Sequence, residues 1–257
     1  MTGRAPFSAE RRRVILDALR TRGRVGAAEI ADELGVTGET VRRDLIALER
    51  EGRLARVHGG AVPLDRTVAE PSVSARVGLD GEKRRIARAA LAHVPASGTI
   101  LLDAGSTTVR LAELLPATGD LAVFTNALPI ATHLLERTEL EVHLLGGRMR
   151  RPTEASVGPW AGAALRDLNV DVVFAGVNGI SLERGLTTPD AAEAEVKGLM
   201  LAAGRRRIVL ADRTKLGVAR LHRHGGLEDV DLLVTDDEAD DEALAALRRA
   251  GVEVETA

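Results

Sequence analysis

From residue 99 onward, short apolar runs alternate with amphipathic stretches, and this alternation constrains the fold of the 257-residue chain more than any other feature. The runs at 99–102, 121–124, 142–145, 172–175, 208–210 and 232–234 have strand length. Helix-period stretches at 108–115, 127–136, 159–168 and 191–203 separate most of them, and a helix near 241–250 precedes a short last strand. Repetition of this kind predicts a mostly parallel sheet with helices on both faces, an α/β architecture. A helix over 82–94, with Ile86, Ala89, Ala90 and Leu91 inward, is expected to open this domain.

In open α/β sheets ligands settle beyond the carboxyl ends of the strands. Five predicted strand ends carry small, hydroxylic or charged residues. They are Asp103 with Gly105-Ser106-Thr107-Thr108, then Thr125-Asn126, Gly146-Gly147, Gly176, and Lys215 in Asp212-Arg213-Thr214-Lys215. The glycine–hydroxyl loop runs into a helix, so its amides can cradle an anion, and Lys215 can supply the counter-charge. Each residue also has a local explanation. Asp103 can cap the next helix, Thr125-Asn126 and Gly146-Gly147 can be simple turns, and Lys215 can be solvated. Convergence of five ends carries the expectation of a binding pocket. The histidines have no metal-ligand or catalytic spacing; Leu221-His222-Arg223-His224 reads as surface loop and Trp160 as core or interface.

The first sixty residues follow another pattern. Ser8 can cap a helix with Val14, Ile15, Ala18 and Leu19 inward, and Gly23 ends it. A second helix turns Ala28, Ile30, Ala31 and Leu34 inward and stops at Gly35. Thr37 caps a third, whose stripe of Val41, Leu45 and Leu48 is its inner face. The short glycine-containing turn between the second and third predicts a helix-turn-helix. Residues 53–61 alternate and close on two glycines, as a hairpin wing would. Glu39, Arg42 and Arg43 then turn outward or to the flanks, where arginine can grip guanine or phosphate; Thr37 and Thr40 offer hydroxyls. Arg53, Arg56 and His58 would reach phosphates from the wing. Alone, Arg42-Arg43 would read as a solvated face paired with Glu39 or Asp44; the surrounding capped helix, turn and hairpin favour a DNA contact.

The segments Val36-Thr37-Gly38-Glu39-Thr40-Val41-Arg42-Arg43-Asp44-Leu45 and Val57-His58-Gly59-Gly60-Ala61 resemble the DeoR family of bacterial transcriptional regulators. The resemblance continues through Leu102-Asp103-Ala104-Gly105-Ser106-Thr107-Thr108, Phe124-Thr125-Asn126, Leu145-Gly146-Gly147, Gly185-Leu186-Thr187-Thr188, Glu195-Val196-Lys197 and Ala211-Asp212-Arg213-Thr214-Lys215. It implies a winged helix-turn-helix on an α/β sensor domain folded like sugar-phosphate isomerases. It also implies a double-stranded DNA operator, a phosphorylated sugar or similar effector, and a dimer or tetramer that represses catabolic or transport genes until the effector arrives. The chain departs from many relatives in having Thr37 for serine, and Ala104 and Ser106 for serine and threonine.

Domain boundaries are expected at 1–61 for the DNA-binding head, 62–81 for a connector rich in proline and glycine, and 82–257 for the sensor. Twelve arginines against nine acids make residues 1–60 mildly basic; the remainder, with 23 basic and 29 acidic residues, is acidic. This asymmetry suits a polyanion-binding head on a body that does not bind nucleic acid. Without cysteine there are no disulfides, thiolate metal sites or thiol nucleophiles. With neither a membrane-length apolar run nor a signal-like start, a cytoplasmic protein without cofactor or metal is expected. Two other readings stay open: a sugar-phosphate isomerase or deaminase-like enzyme with a DNA-binding head, and a DNA-binding scaffold whose body only oligomerises.

Overall fold

The structure is a computed structural model that describes residues 8–50, 54–57, 59–63 and 79–257. The chain forms two compact units, Met1–Pro71 and Ser72–Ala257. Arg53, His58 and most of the expected 62–81 connector lie outside the described residues.

In the first unit, α1 spans Ser8–Arg22, β1 Val25–Gly26, α2 Ala27–Leu34, α3 Gly38–Arg50, β2 Leu54–Val57 and β3 Gly60–Pro63. Its core joins Ile15 and Leu19 of α1, Ile30 of α2, Val41, Leu45 and Leu48 of α3, and Leu54 of β2. Three expectations change. Val14 is exposed, because Ile15, Ala18 and Leu19 complete the inner stripe without it. Ala27 rather than Ala28 is buried on α2. Ser8 is the first helical residue, and its hydroxyl donates to Asp44 Oδ1 at 3.2 Å. Gly35 ends α2 at φ 61°, the left-handed conformation in which glycine has no Cβ penalty. The hairpin gains a strand that was not foreseen, β1, which pairs with β3 to give the order β1-β3-β2. Gly60 makes this possible: a Cβ there would lie 2.0 Å from the Val25 carbonyl oxygen.

The second unit begins with α4 (Asp80–Leu91) and continues through β4 (Ser97–Leu102), α5 (Ser106–Ala112), β5 (Asp120–Thr125), α6 (Leu128–Arg137) and β6 (Glu141–Leu144). Then come β7 (Arg148–Arg150), β8 (Ala155–Val157), α7 (Pro159–Arg166), β9 (Val170–Gly176), β10 (Gly179–Ser181), β11 (Gly185–Thr188) and α8 (Ala191–Ala203). The unit closes with β12 (Gly204–Leu210), β13 (His222–Gly225), β14 (Leu232–Thr235), α9 (Asp241–Arg249) and β15 (Glu253–Thr256). Seven strands form one parallel sheet, β15-β14-β12-β9-β4-β5-β6, as the alternation predicts. Its central strands are apolar on both faces: Ile100, Leu101 and Leu102 of β4 and Val173 and Phe174 of β9 are fully buried.

Two small antiparallel sheets, β7-β8 and β10-β11-β13, were not legible. They lack apolar runs, so nothing in their patterning marks them as strands. The presumed loop Leu221-His222-Arg223-His224 supplies β13, and His224 is buried in it. Trp160 is neither core nor covered by this chain: it is 80% exposed at the start of α7.

Candidate functional site

The Thr37 hydroxyl accepts from the Thr40 amide at 3.3 Å and also meets the Thr40 hydroxyl at 2.9 Å, which fixes the start of α3. With Val41, Leu45 and Leu48 buried, the Arg42 and Arg43 side chains are 69% and 78% exposed. Both face Glu39, at 3.8 and 3.4 Å. Exposed pairs of this length are weak enough for a phosphate to displace. Asp44 does not pair with them. It is buried and holds α3 to α1 through Arg11 at 2.7 Å and Arg12 at 3.5 Å. On β2, Arg56 is tied to Glu49: its amide and Nε reach the carboxylate at 3.0 and 2.7 Å. The Arg56 hydrogen bonds hold the Glu49 carboxyl below its ordinary pKa. Arg56 must therefore share its guanidinium with Glu49 to touch DNA.

In the second unit hydrogen bonds join the residues after β4 to those at the ends of β5 and β9, and the residues divide into supports and candidate contacts. Asp103, directly after β4, is 1% exposed. Its Oδ2 accepts from the Gly176 amide at 3.0 Å and pairs with Lys197 of α8. Lys197 also donates to the Gly176 carbonyl at 2.9 Å. Gly176 is thus a strut, both of its peptide groups being occupied. Asp103 Oδ1, by contrast, is buried with no hydrogen-bond partner, an arrangement that a ligand donor would complete. Asp103 does not cap α5; Gly105 occupies that position, in extended conformation.

Thr125 donates to the Leu102 carbonyl at 2.7 Å and accepts from the Ala127 amide at 3.0 Å. The Thr125 hydroxyl makes the local turn across Asn126, and the Asn126 side chain instead ties the loop after β4 to β8, accepting from the Ala104 amide at 3.1 Å and donating to the Ser156 carbonyl at 3.3 Å. Gly147, at φ 151°, is required by packing: a Cβ there would lie 2.6 Å from Ser156 Oγ and 2.8 Å from the Val157 carbonyl. Gly146 has open space around its Cα. Thr108 is buried and turns its hydroxyl back to the Gly105 carbonyl at 2.9 Å, while Ser106 and Thr107 have no such bond among those described. Lys215 sits 3.2 Å from Thr214 Oγ1 and 3.9 Å from Asp212 Oδ2.

Several polar residues escaped the sequence reading as site candidates. Lys197 and Glu193 occupy one face of α8 a turn apart, both buried. Glu193 accepts from Thr188 at 3.1 Å, from Arg150 at 3.3 Å and from Thr153. Their four-residue spacing was the available signal, and only the fold shows that it points inward. His224 is buried beside the same helix with both ring nitrogens unpartnered. Burial, and after it the Lys197 charge, pushes its pKa down to about 3. The opposite face of α8 borders a groove of about 790 Å³ that includes Arg166, Glu195, Arg223 and Asp229. No strand-end candidate lines it, so the groove and the Asp103 site are separate. Among the described residues no group of three or more His, Asp or Glu is placed to hold a metal, and no helix is long and apolar enough to cross a membrane.

A winged helix-turn-helix with an exposed arginine face, carried on a chain whose other unit gathers polar groups at the ends of a parallel sheet, defines a ligand-responsive DNA-binding regulator. The sequence matches the DeoR-like helix-turn-helix domain over residues 11–67 and the DeoR C terminal sensor domain over 80–237. The chain belongs to the DeoR family and is a DNA-binding transcriptional regulator. It is 34% identical to a putative aga operon transcriptional repressor of Escherichia coli, with 98% of this chain and 94% of that protein covered. It is 36% identical to the HTH-type transcriptional regulator GlpR of Haloferax volcanii, with 96% of each covered. The HTH-type transcriptional repressor GlcR of Bacillus subtilis is 32% identical, again with 96% of each covered. Solved structures are more distant. The full-length sorbitol operon regulator SorC of Klebsiella pneumoniae is 12% identical at TM-score 0.43, covering 95% of this chain and 100% of that one. Ribose 5 phosphate isomerase A of Neisseria gonorrhoeae is 18% identical at TM-score 0.38, covering 56% and 54%.

Proposed function

We propose that the chain represses a sugar or related catabolic operon in the cytoplasm and lets go of its operator when a phosphorylated sugar or similar metabolite binds the sensor. The head (1–61) reads DNA, the connector (62–81) transmits, and the body (82–257) senses. The observation that carries the sensing half is Asp103, a buried carboxylate with one oxygen bound by Lys197 and Gly176 and the other unpartnered. The unpartnered oxygen suits a ligand hydroxyl. Gly105, Ser106, Thr107 and Lys215 supply amides, hydroxyls and a charge for its phosphate; Thr108, Thr125, Asn126, Gly146, Gly147 and Gly176 shape the cleft around it.

On DNA, Thr37, Glu39, Thr40, Arg42 and Arg43 of the α3 face enter the major groove, and Arg53, Arg56 and His58 flank it. Two copies would place their third helices about 34–36 Å apart on successive grooves, so the working form is a dimer or tetramer. The chain acts as a sensor and not as an isomerase or deaminase, since the relatives it resembles over nearly its full length carry regulator names.

Fluorescence anisotropy on the chain's own upstream promoter fragment, titrated with a panel of phosphorylated sugars, tests the proposal. At least one compound should release the fragment and be recovered unconverted. Salt-sensitive DNA binding that no member of the panel disturbs would refute the effector class, and turnover of any member would restore the enzyme reading.

A further inference from the structure

The first turn of α4 carries two carboxylates, and each reaches an element of the proposed sensor site. Asp80 Oδ1 accepts from Arg110 Nε of α5 at 3.0 Å, and Arg110 Nη2 lies 2.8 Å from the same oxygen. Glu82 Oε1 accepts from Arg213 Nη1 at 3.2 Å. Helix α5 starts with Ser106, Thr107 and Thr108 of the proposed anion cradle, and Arg213 lies two residues before Lys215 in the segment after β12. The two structures that would close on an anion therefore hold the same turn from two sides.

Both arginines are shared. Arg110 also grips Glu113 at 2.6 Å, and Arg213 grips Asp236 at 2.7 Å and Glu238 at 3.0 Å. An added anion beside Lys215 draws on the same cation that holds Glu82. The turn also starts under strain. Leu79, its N-cap, has φ 60° and ψ 35°, a left-handed conformation that a side chain with Cβ disfavours. Beyond this turn α4 is firmly held: Ile86, Ala87 and Ala90 are fully buried, and Arg85 pairs with Asp237 at 2.7 Å. A strained turn clamped by divisible ion pairs is an element that a change in those pairs can release, and coupling between sites requires an element of that kind. In sequence it is also the first described element after the connector from the DNA-binding unit.

We propose that the Arg110–Asp80 and Arg213–Glu82 pairs form a clamp through which occupancy of the sensor site is relayed to the first turn of α4. Anion binding weakens both pairs, Leu79 relaxes out of the left-handed region, and the turn unwinds. The input rests on the proposed sensor site, whereas the clamp is tested without any ligand.

Hydrogen exchange by mass spectrometry on the full chain decides between the outcomes. In the ligand-free double variant Asp80→Asn/Glu82→Gln, amides of 83–86 should exchange about threefold faster, part of it from losing the Asp80–Arg84 pair within α4, and residues 104–112 and 211–216, which only the clamp reaches, should quicken with them. Leu79→Gly should instead slow exchange in 83–86, since glycine accepts the left-handed conformation. Unchanged exchange at 104–112 and 211–216 in the double variant, or faster exchange at 83–86 in Leu79→Gly, overturns the clamp. With inorganic phosphate as the probe, wild-type loops should slow while 83–86 quickens, and the double variant should lose only the second effect. Slowed loops with an unaltered α4 in the wild type also overturn it. Loops indifferent to phosphate would count against the anion site of the proposed function, leaving the ligand-free comparison to judge the clamp.

Discussion

Lys197 neutralises a carboxylate that folding has taken out of water, and Asp103 depends on it. Breaking a buried pair by removing one partner costs about 3–5 kcal/mol, because the remaining charge stays desolvated. Urea unfolding of Lys197→Met should show a loss of that order, and the double variant Lys197→Met/Asp103→Leu should recover most of it. A loss below about 1 kcal/mol in the single variant would mean that Asp103 is solvated after all. His224 contributes in the opposite sense. Its pKa falls from 6.5 to about 3 on folding, so the unfolded chain takes up a proton first as the pH drops. Stability is unaffected above about pH 7, declines below the unfolded pKa of 6.5, and continues to decline until the folded pKa is reached. At pH 5 the cost is about 2 kcal/mol. His224→Gln should flatten the difference in urea midpoint between pH 7.5 and pH 5; an identical slope in the variant would assign the pH effect elsewhere. His224 was not legible as part of the site, and Lys197 only through the resemblance carried by Glu195-Val196-Lys197. A single lysine in a helix and a histidine in a polar tetrapeptide look solvated until the chain folds over them, and burial comes from tertiary contacts that local pattern does not encode.

Elements were easier to read than residues, for a physical reason. Helix α8 was expected at 191–203 and is found at Ala191–Ala203; the six expected parallel strands were found with ends shifted by at most four residues. Long periodic segments bury a whole face, so their pattern is written redundantly. The sheets β7-β8 and β10-β11-β13 are built from three- and four-residue strands and carry no such redundancy. Helix α3 shows both sides of the rule: its inner stripe was plain, but Asp44, which the solvated-face alternative offered as a partner of Arg42 and Arg43, is an anchor to α1. That difference predicts opposite phenotypes a residue apart. Arg42→Ala and Arg43→Ala should leave the head within about 0.5 kcal/mol of wild type, because both side chains are exposed. Each should abolish binding to the promoter fragment at physiological salt. In low salt, where residual binding can be followed, each should flatten the slope of log K against log salt by about one if it neutralises a phosphate. Asp44→Ala should lower the thermal midpoint of the head, by removing the partner of Arg11 and Arg12. Full DNA affinity in both arginine variants would remove the assignment of α3 as the recognition helix.

At the scale of the whole molecule, two compact units are useful as a switch only if ligand free energy spent in one appears in the other. Such coupling is reciprocal. If an effector weakens operator binding by some factor, the operator must weaken effector binding by the same factor. A coupling of about 1–3 kcal/mol, typical of such systems, corresponds to roughly 5–150-fold. Titration of a releasing sugar phosphate into the free chain, and into the chain saturated with its promoter fragment, should give dissociation constants differing by that factor. Anisotropy with and without the same compound should return the identical ratio. An effector dissociation constant that keeps rising in proportion to promoter concentration, without the plateau that a finite coupling sets, would show that the compound displaces DNA by competing at the head. In that case Asp103→Ala would leave release intact, whereas a sensor in the second unit requires it to fail.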